Sequence, residues 1–473
     1  MLLDIWKGKT MKINKKIGFV FVGVLVIVCC LGGYGWYKKQ NKIDVNYILE
    51  KTKLKNDKAS LKVQEIELWS GKSSAYFMKD DSVDLVAISF GFDKSGLAYE
   101  NKRGSAILAK NVLLDGAGKY DRKNIRKIMK EKGIKIGVDV TKDRLGFYLS
   151  YVKKFEKDAI DLIKSILYEP HLLKEDIRLV KQQLNVAKNR SKESPSYQLS
   201  LLVKKEFYGE HEYSKETIPD KEELDKIEDN DIRNYLRDFM VKENLKIGVA
   251  GNIDENDVKE ILENIFGDLK DKAEYTKDIR FEKEFISKEN SVDFDFSKQS
   301  FVVMMRKGID RLDEDFYPLY IADYIFGGSG LTSRLNVSIR EKAGLTYGIY
   351  SYFSNNDAID LWSVGFSSTP DNVEEIVKKF DEEYNLFIKK GVSEEELNWA
   401  KKSLLSSFNL RFNSLASMAG MLEQMQVQNL GRDFLEKRQD LIRAINIEDV
   451  NKALKKWNEN GGEFQIFRVN GKI

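Results

Sequence analysis

Residues 17–37 read IGFVFVGVLVIVCCLGGYGWY, an apolar run without a single charge. A helix needs about 20 such residues to cross ~30 Å of hydrocarbon, and aromatic rings prefer the lipid–water boundary. Tyr34, Trp36 and Tyr37 stand at the far end of the run. Lys7, Lys9, Lys12, Lys15 and Lys16 precede it, and Lys38, Lys39 and Lys42 follow it. The run is therefore read as one transmembrane anchor, preceded by a basic cytoplasmic tail over residues 1–16. Its charge asymmetry places the bulk of a single-pass membrane protein on the extracytoplasmic side. The competing reading is a cleaved signal peptide with a small-residue site near Gly33 and Gly35. Either way, the remainder has to fold as separate units outside that segment.

A lysine- and asparagine-rich stretch, residues 38–60, has little apolar periodicity and reads as a juxtamembrane spacer. Beyond it more than 400 residues remain, too many for one ordinary core, since domains run to about 100–200 residues. Hydrophobic residues make up 42% of the chain, which is enough for packed cores. Charged residues make up 32%, but their signs nearly cancel to +3. No whole-chain field results, so nucleic acid is not expected as a partner. The only cysteines, Cys29 and Cys30, sit inside the apolar run, which excludes a disulfide framework or a Cys-based zinc site downstream.

The element pattern is mixed. Strands are expected at 85–90, 134–140, 145–152 and 245–250, with helices at 104–114, 122–132, 156–167, 174–189, 229–239 and 255–266. The 174–189 helix is expected to stop before a Ser194-Pro195 turn. A similar order returns later: strand 301–306, helix 316–326, strands 346–353 and 360–367, helices 373–390, 394–412 and 447–457, and strand 463–469. The segment 271–298 is charged and poor in apolar runs, so it reads as a linker. The fold class is thus α+β: two homologous halves of the α/β-roll type, each a mixed sheet with helices, over 61–270 and 299–473, preceded by one transmembrane helix.

Several motifs fail on inspection. Gly71-Lys72-Ser73-Ser74 resembles the tail of a phosphate-binding loop, but Ile66 stands where its first glycine belongs. Gly327-Gly328-Ser329-Gly330 lacks the spacing of a nucleophile elbow. The two histidines, His171 and His211, are forty positions apart and form no ligand pair.

The segment 327–347 is informative. It runs from a glycine turn through Ser333-Arg334-Leu335 to Arg340-Glu341-Lys342-Ala343-Gly344-Leu345-Thr346-Tyr347. This resembles the second-half signature of the insulinase/pitrilysin-like zinc metallopeptidases, the inverzincins. The resemblance implies that Arg340 and Tyr347 bind peptide backbone and steady the tetrahedral intermediate. A guanidinium and a phenol can both donate to a carbonyl that gains charge. The alternative for the pair is an ion pair of Arg340 with Glu341 or another carboxylate, beside a buried tyrosine.

The first half carries the place where that family has its inverted zinc motif, G-x-A-H-x-x-E-H with a glycine five residues on. Here the chain reads Gly104-Ser105-Ala106-Ile107-Leu108-Ala109-Lys110-Asn111, with Gly116 at the matching offset. Ile107 and Asn111 replace the histidine ligands, Lys110 replaces the glutamate base, and Gln183 replaces the downstream glutamate ligand. An alkyl group cannot ligate Zn²⁺ and an ammonium repels it. Residues 133–148 resemble the family's edge strand that pairs with substrate, though Gly137 replaces the usual asparagine; 208–213 and 245–253 also resemble family segments.

The resemblance, covering about 61–473, implies a pseudopeptidase: a degenerate zinc site in the N-terminal peptidase-like domain, an Arg/Tyr pair in the C-terminal one. The expected role is that of a non-catalytic, membrane-anchored subunit. It would pair with a homologous zinc-bearing subunit and supply Arg340 and Tyr347 for peptide substrates. No metal or other cofactor is expected in this chain; zinc would belong to the partner. The alternatives are a scaffold or peptide-binding pseudopeptidase in a membrane complex with no part in proteolysis, and an active peptidase with a different metal arrangement.

Overall fold

The computed structural model describes residues 62–274 and 277–472. The anchor, the basic tail and the spacer fall outside the described residues. Among the described residues no helix is long and apolar enough to cross a membrane.

The strands, in chain order, are β1 Gln64–Leu68, β2 Ser73–Lys79, β3 Leu85–Asp93, β4 Gly116–Ala117, β5 Tyr120–Asp121, β6 Lys135–Val140, β7 Arg144–Val152, β8 Leu245–Gly251, β9 Lys288–Phe294, β10 Ser300–Lys307, β11 Ile349–Ser354, β12 Leu361–Ser368 and β13 Gln465–Gly471. They build a six-stranded sheet of order β1-β2-β8-β3-β7-β6 and a five-stranded sheet of order β11-β12-β10-β13-β9, beside the small β4–β5 pair. Leaving out β1, the two large sheets have one topology. The β2–β8 and β9–β13 pairs are parallel, and the other neighbours are antiparallel in both. The shared strand order makes the internal duplication visible where the residues themselves do not repeat.

Local chemistry explains the helices around them. Arg122–Lys132 starts because the Asp121 carboxylate accepts the Asn124 N–H at 2.7 Å, and it stops where Gly133 turns to a φ of 64°. Asp229–Phe239 opens on a reciprocal box in which Asp231 accepts the Glu228 N–H at 2.7 Å. In the first core Phe90 of β3 stacks on Phe147 of β7 with ring centroids 5.0 Å apart, and Phe266 meets Phe90 edge-on. The second core is centred on Phe326, Trp362, Phe380 and Phe387.

Each sheet also receives a helix from the opposite half. Leu415–Val427 lies across β8, β3 and β2 of the first sheet, over the small side chains of Ala87 and Ala250. Pro195–Val203 lies across β13, β10 and β9 of the second, where Leu199, Leu202 and Val203 meet Met305, Leu361 and Phe467. Gly248 makes the first crossing possible. A Cβ there would stand 2.1 Å from the Ala419 carbonyl oxygen and 2.5 Å from the Glu423 nitrogen.

Several sequence expectations are corrected here. The 271–298 linker contains β9, whose edge position and largely exposed face leave no apolar alternation to read. Ser194-Pro195 begins a helix instead of a plain turn, because proline's fixed φ and missing N–H suit the first helical position. The 316–326 helix passes at Tyr324 into a wider π-turn ending at Gly328, and the 394–412 helix ends at Phe408. Gly71 to Ser74 belong to the β1–β2 hairpin.

Candidate functional site

Helix Ser105–Val112 carries three of the four altered zinc-motif positions. It begins after Gly104, whose φ of 103° is a conformation that favours glycine. The partly buried Glu100 carboxylate accepts the Gly104 and Ala106 N–H groups at 2.9 and 2.8 Å, and desolvation pushes its pKa up to about 7. Ile107 is buried among the apolar side chains of the first core. Lys110 reaches Asp139 of β6 at 2.6 Å, bridging the helix to the sheet. The Asn111 amide donates to the Ile107 carbonyl at 2.7 Å, a bond within its own helix turn. Gln183 is exposed on helix Lys174–Ser191, which packs against Ser105–Val112.

These residues do not fit a zinc ion. The alkyl side chain faces a core, the ammonium is paired, and the two amides carry no negative charge. Among the described residues no cluster of three or more His, Cys, Asp or Glu could hold a metal. His171 bonds the Gly118 carbonyl at 2.7 Å and His211 the Ile279 carbonyl at 2.9 Å, so both act within the fold. Gly116 has a packing reason for being glycine: a Cβ there would lie 2.5 Å from the His171 Nδ1.

The strand expected to lie at an edge does so. β6 is last in its sheet's order and pairs only with β7, and a Cβ at Gly137 would meet nothing closer than 3.9 Å.

Arg340 and Tyr347 belong to the second half. Arg340 lies in the π-turn Asn336–Lys342, and Tyr347 immediately precedes the Gly348 that leads into β11. The Arg340 Nε donates to the Tyr347 carbonyl oxygen at 3.0 Å, so the two positions are tied together through the backbone. The Tyr347 side chain is 85% exposed, and Arg340 forms no ion pair among the described residues. That rules out the reading of an ion-paired arginine beside a buried tyrosine.

Anchors not singled out in the sequence hold the turn in place. The buried Asn336 amide donates to the Gly330 carbonyl at 3.0 Å and accepts the Ile349 N–H at 3.2 Å. Arg334 grips both Glu396 oxygens at 2.6 Å. The buried Asp323 carboxylate, pushed up to about 6 by burial, accepts from Ser351 at 2.5 Å and Trp362 at 2.7 Å. Gly327 is needed for this approach, because a Cβ there would lie 2.3 Å from the Ser351 hydroxyl. Asn336 stood inside the quoted motif; only its burial, which sequence does not display, marks it as the anchor.

Residues 226–404 match the family described as "Peptidase M16 inactive domain". The chain is 25% identical over 399 residues to the "Non-peptidase homolog YmxG" of Helicobacter pylori, covering 83% of this chain and 91% of that protein. It is 20% identical over 389 residues to the "Mitochondrial-processing peptidase subunit alpha" of Pongo abelii, covering 76% of this chain and 74% of that one. The crystal structure of a peptidase M16 inactive domain from Pseudomonas fluorescens superposes with a TM-score of 0.79 at 22% identity, covering 87% of this chain and 98% of that one. With the Arg340–Tyr347 turn in place and the H-x-x-E-H positions replaced, residues 226–404 match the peptidase M16 inactive domain, and the chain as a whole is similar to peptidase M16 homologues in sequence and fold.

Proposed function

We propose that this protein is the non-catalytic, membrane-anchored subunit of a heteromeric zinc peptidase, pairing with a homologous subunit that carries the zinc. Arg340 and Tyr347 would complete the partner's site, donating to the peptide carbonyl as charge develops on its oxygen. The observation that carries this reading is a contrast within one chain. The arginine and tyrosine positions are tied together and Tyr347 is 85% exposed, while Ile107 packs in the core, Lys110 is ion-paired, Asn111 bonds within its own helix turn and Gln183 is a neutral amide. A subunit retaining only the first function has a use for it in trans. The apolar run at 17–37 and its lysine flanks support an anchor with the folded part on the extracytoplasmic side.

Zinc, in this reading, resides only in the partner, where it would polarise the carbonyl and activate water. The experiment is reconstitution of the purified chain with a zinc-bearing homologue from the same source. Wild-type chain is expected to restore peptide cleavage, and Arg340→Ala to lower it by about 10²–10³-fold. Equal restoration by Arg340→Ala overturns the proposal.

A further inference from the structure

The face of the second sheet away from its own core is only partly covered. Helix Pro195–Val203 rests on β13, β10 and β9 and continues as a wider turn through Tyr208, whose neighbour Phe207 packs with Met305, Leu361 and Phe467, while β12 and β11 keep an open face beside it. Along β12 the side chains alternate sharply. Trp362, Val364 and Phe366 fill the core, while Ser363, Gly365 and Ser367 face the other way. These small residues leave a cavity of about 660 Å³, in the range of ligand-binding pockets, beside the apolar Phe301, Val303 and Met305. β11 forms its rim with Tyr350 and Tyr352, and as the outermost strand it pairs only with β12.

Two lysines from the first half enter the same cavity, Lys142 from the β6–β7 turn and Lys204 from the end of helix Pro195–Val203. Neither has a carboxylate within ion-pairing distance among the described residues; Lys142 donates only to the Lys215 carbonyl. The nearby acids are already engaged. Glu216 takes Lys188 at 3.2 Å and the Tyr197 hydroxyl, Glu100 takes two backbone N–H groups, and Asp143 takes the Tyr213 hydroxyl. Burial lowers the Lys142 pKa to about 8, with Lys204 and Arg103 pressing the same way and Glu100 and Asp143 opposing. Lys204 is lowered by burial too, with Arg103 and Lys188 adding to the effect and Glu216 opposing it. Two like charges on a largely apolar wall are costly unless an anion joins them.

We propose that this cavity binds the C-terminal end of a peptide with apolar side chains, its free carboxylate held by Lys142 and Lys204 and its side chains lying on the Ser363–Gly365–Ser367 floor. The open backbone of β11 favours a peptide over a simple fatty acid, because only a peptide can use those hydrogen-bonding groups. The inference needs no zinc-bearing partner and is measured on the full chain alone, so its failure leaves the proposed function standing and the reverse.

The test is fluorescence anisotropy with an N-terminally labelled peptide ending in Ala-Val-Leu-Phe, as free acid and as carboxamide. The acid is expected to bind about tenfold more tightly than the amide at pH 7, equivalent to about 1.4 kcal/mol. Lys142→Met and Lys204→Met should each shrink that ratio, and the ratio should fall above about pH 8 as Lys142 loses its proton. Gly365→Leu should weaken both peptides by filling the floor; a Cβ there meets nothing closer than the Val302 carbonyl at 3.9 Å, so the backbone leaves room for a side chain to start, and an unchanged denaturation midpoint checks that the variant is folded. Equal binding of acid and amide, or a ratio untouched by both lysine variants, overturns the proposal. Tight binding of dodecanoate with no binding of either peptide overturns it in favour of a fatty acid.

Discussion

Arg144, in β7 of the first sheet, forms an ion pair with Glu423 on a helix supplied by the other half of the chain. The side chains are only 11% and 7% exposed, and the Ser89 hydroxyl donates to the second Glu423 oxygen at 2.5 Å. Two further bonds fasten the same helix: the Ile247 N–H donates to the Gln426 amide oxygen at 2.9 Å, and the Gln426 amide donates to the Ser74 carbonyl at 3.2 Å. The pair therefore sits at the centre of the contact that makes two sheets one unit.

Removing one member of a buried pair strands the other charge. Glu423→Ala is expected to cost about 3–5 kcal/mol in chemical denaturation. Replacing both residues with methionine should cost clearly less, because no orphaned charge remains. A single substitution no worse than the double would contradict this account of the interface.

Glycine at 248 is predicted to be strictly required, in contrast to Gly420 on the helix above it. Gly248→Ala drives a methyl into backbone atoms of Ala419 and Glu423 and should destabilise by about 1–3 kcal/mol. At Gly420 a Cβ meets nothing within 4 Å, so Gly420→Ala should stabilise its helix by up to about 1 kcal/mol. Limited proteolysis around residues 409–414 reports whether the helix has lifted.

Glu100 gives the molecule a definite pH dependence. Its pKa is raised from 4.5 to about 7, chiefly by burial, while the Ala106 and Gly104 N–H groups pull it down. Between those values the folded state keeps a proton that the unfolded chain releases. Its contribution is complete below the window and is lost as pH rises through about 7. Asp93, Asp143 and Asp323, each raised to about 6 by burial, act with the same sign. The denaturation midpoint should therefore be higher at pH 5.5 than at pH 8, and Glu100→Gln should reduce the slope. Rising stability over that interval would show that other groups dominate.

How much of this was readable beforehand depends on where the signal lies. Arg122–Lys132, Asp229–Phe239, Glu255–Phe266 and Val373–Lys390 appear over the same residues in the structure, because each buries one face and advertises it by spacing. Leu415–Val427 gave no such pattern. Small residues such as Ala419 and polar ones such as Glu423 and Gln426 are its buried contacts, and they satisfy groups distant in sequence. β9 was hidden for the opposite reason, as an exposed edge paired to β13 only in the fold. At the site, the motif located Arg340 and Tyr347, yet the Asn336 and Asp323 anchors that position them emerge only from burial and hydrogen bonding.

The altered zinc positions can be tested by reversing them. A variant combining Ile107→His, Lys110→Glu, Asn111→His and Gln183→Glu is expected to acquire about one zinc per chain, since ligand type sets the affinity. Calorimetric titration with Zn²⁺ checks it. The same titration should show no comparable uptake by the Ile107→His single variant, which still lacks the other ligands.

The most direct measurement takes the purified full chain alone, equilibrates it with Zn²⁺, and follows both bound metal and cleavage of a quenched peptide with and without chelator. Ile107, Lys110, Asn111 and Gln183 predict no stoichiometric zinc and no chelator-sensitive cleavage. Cleavage by the isolated protein that a chelator abolishes would contradict the account at its root.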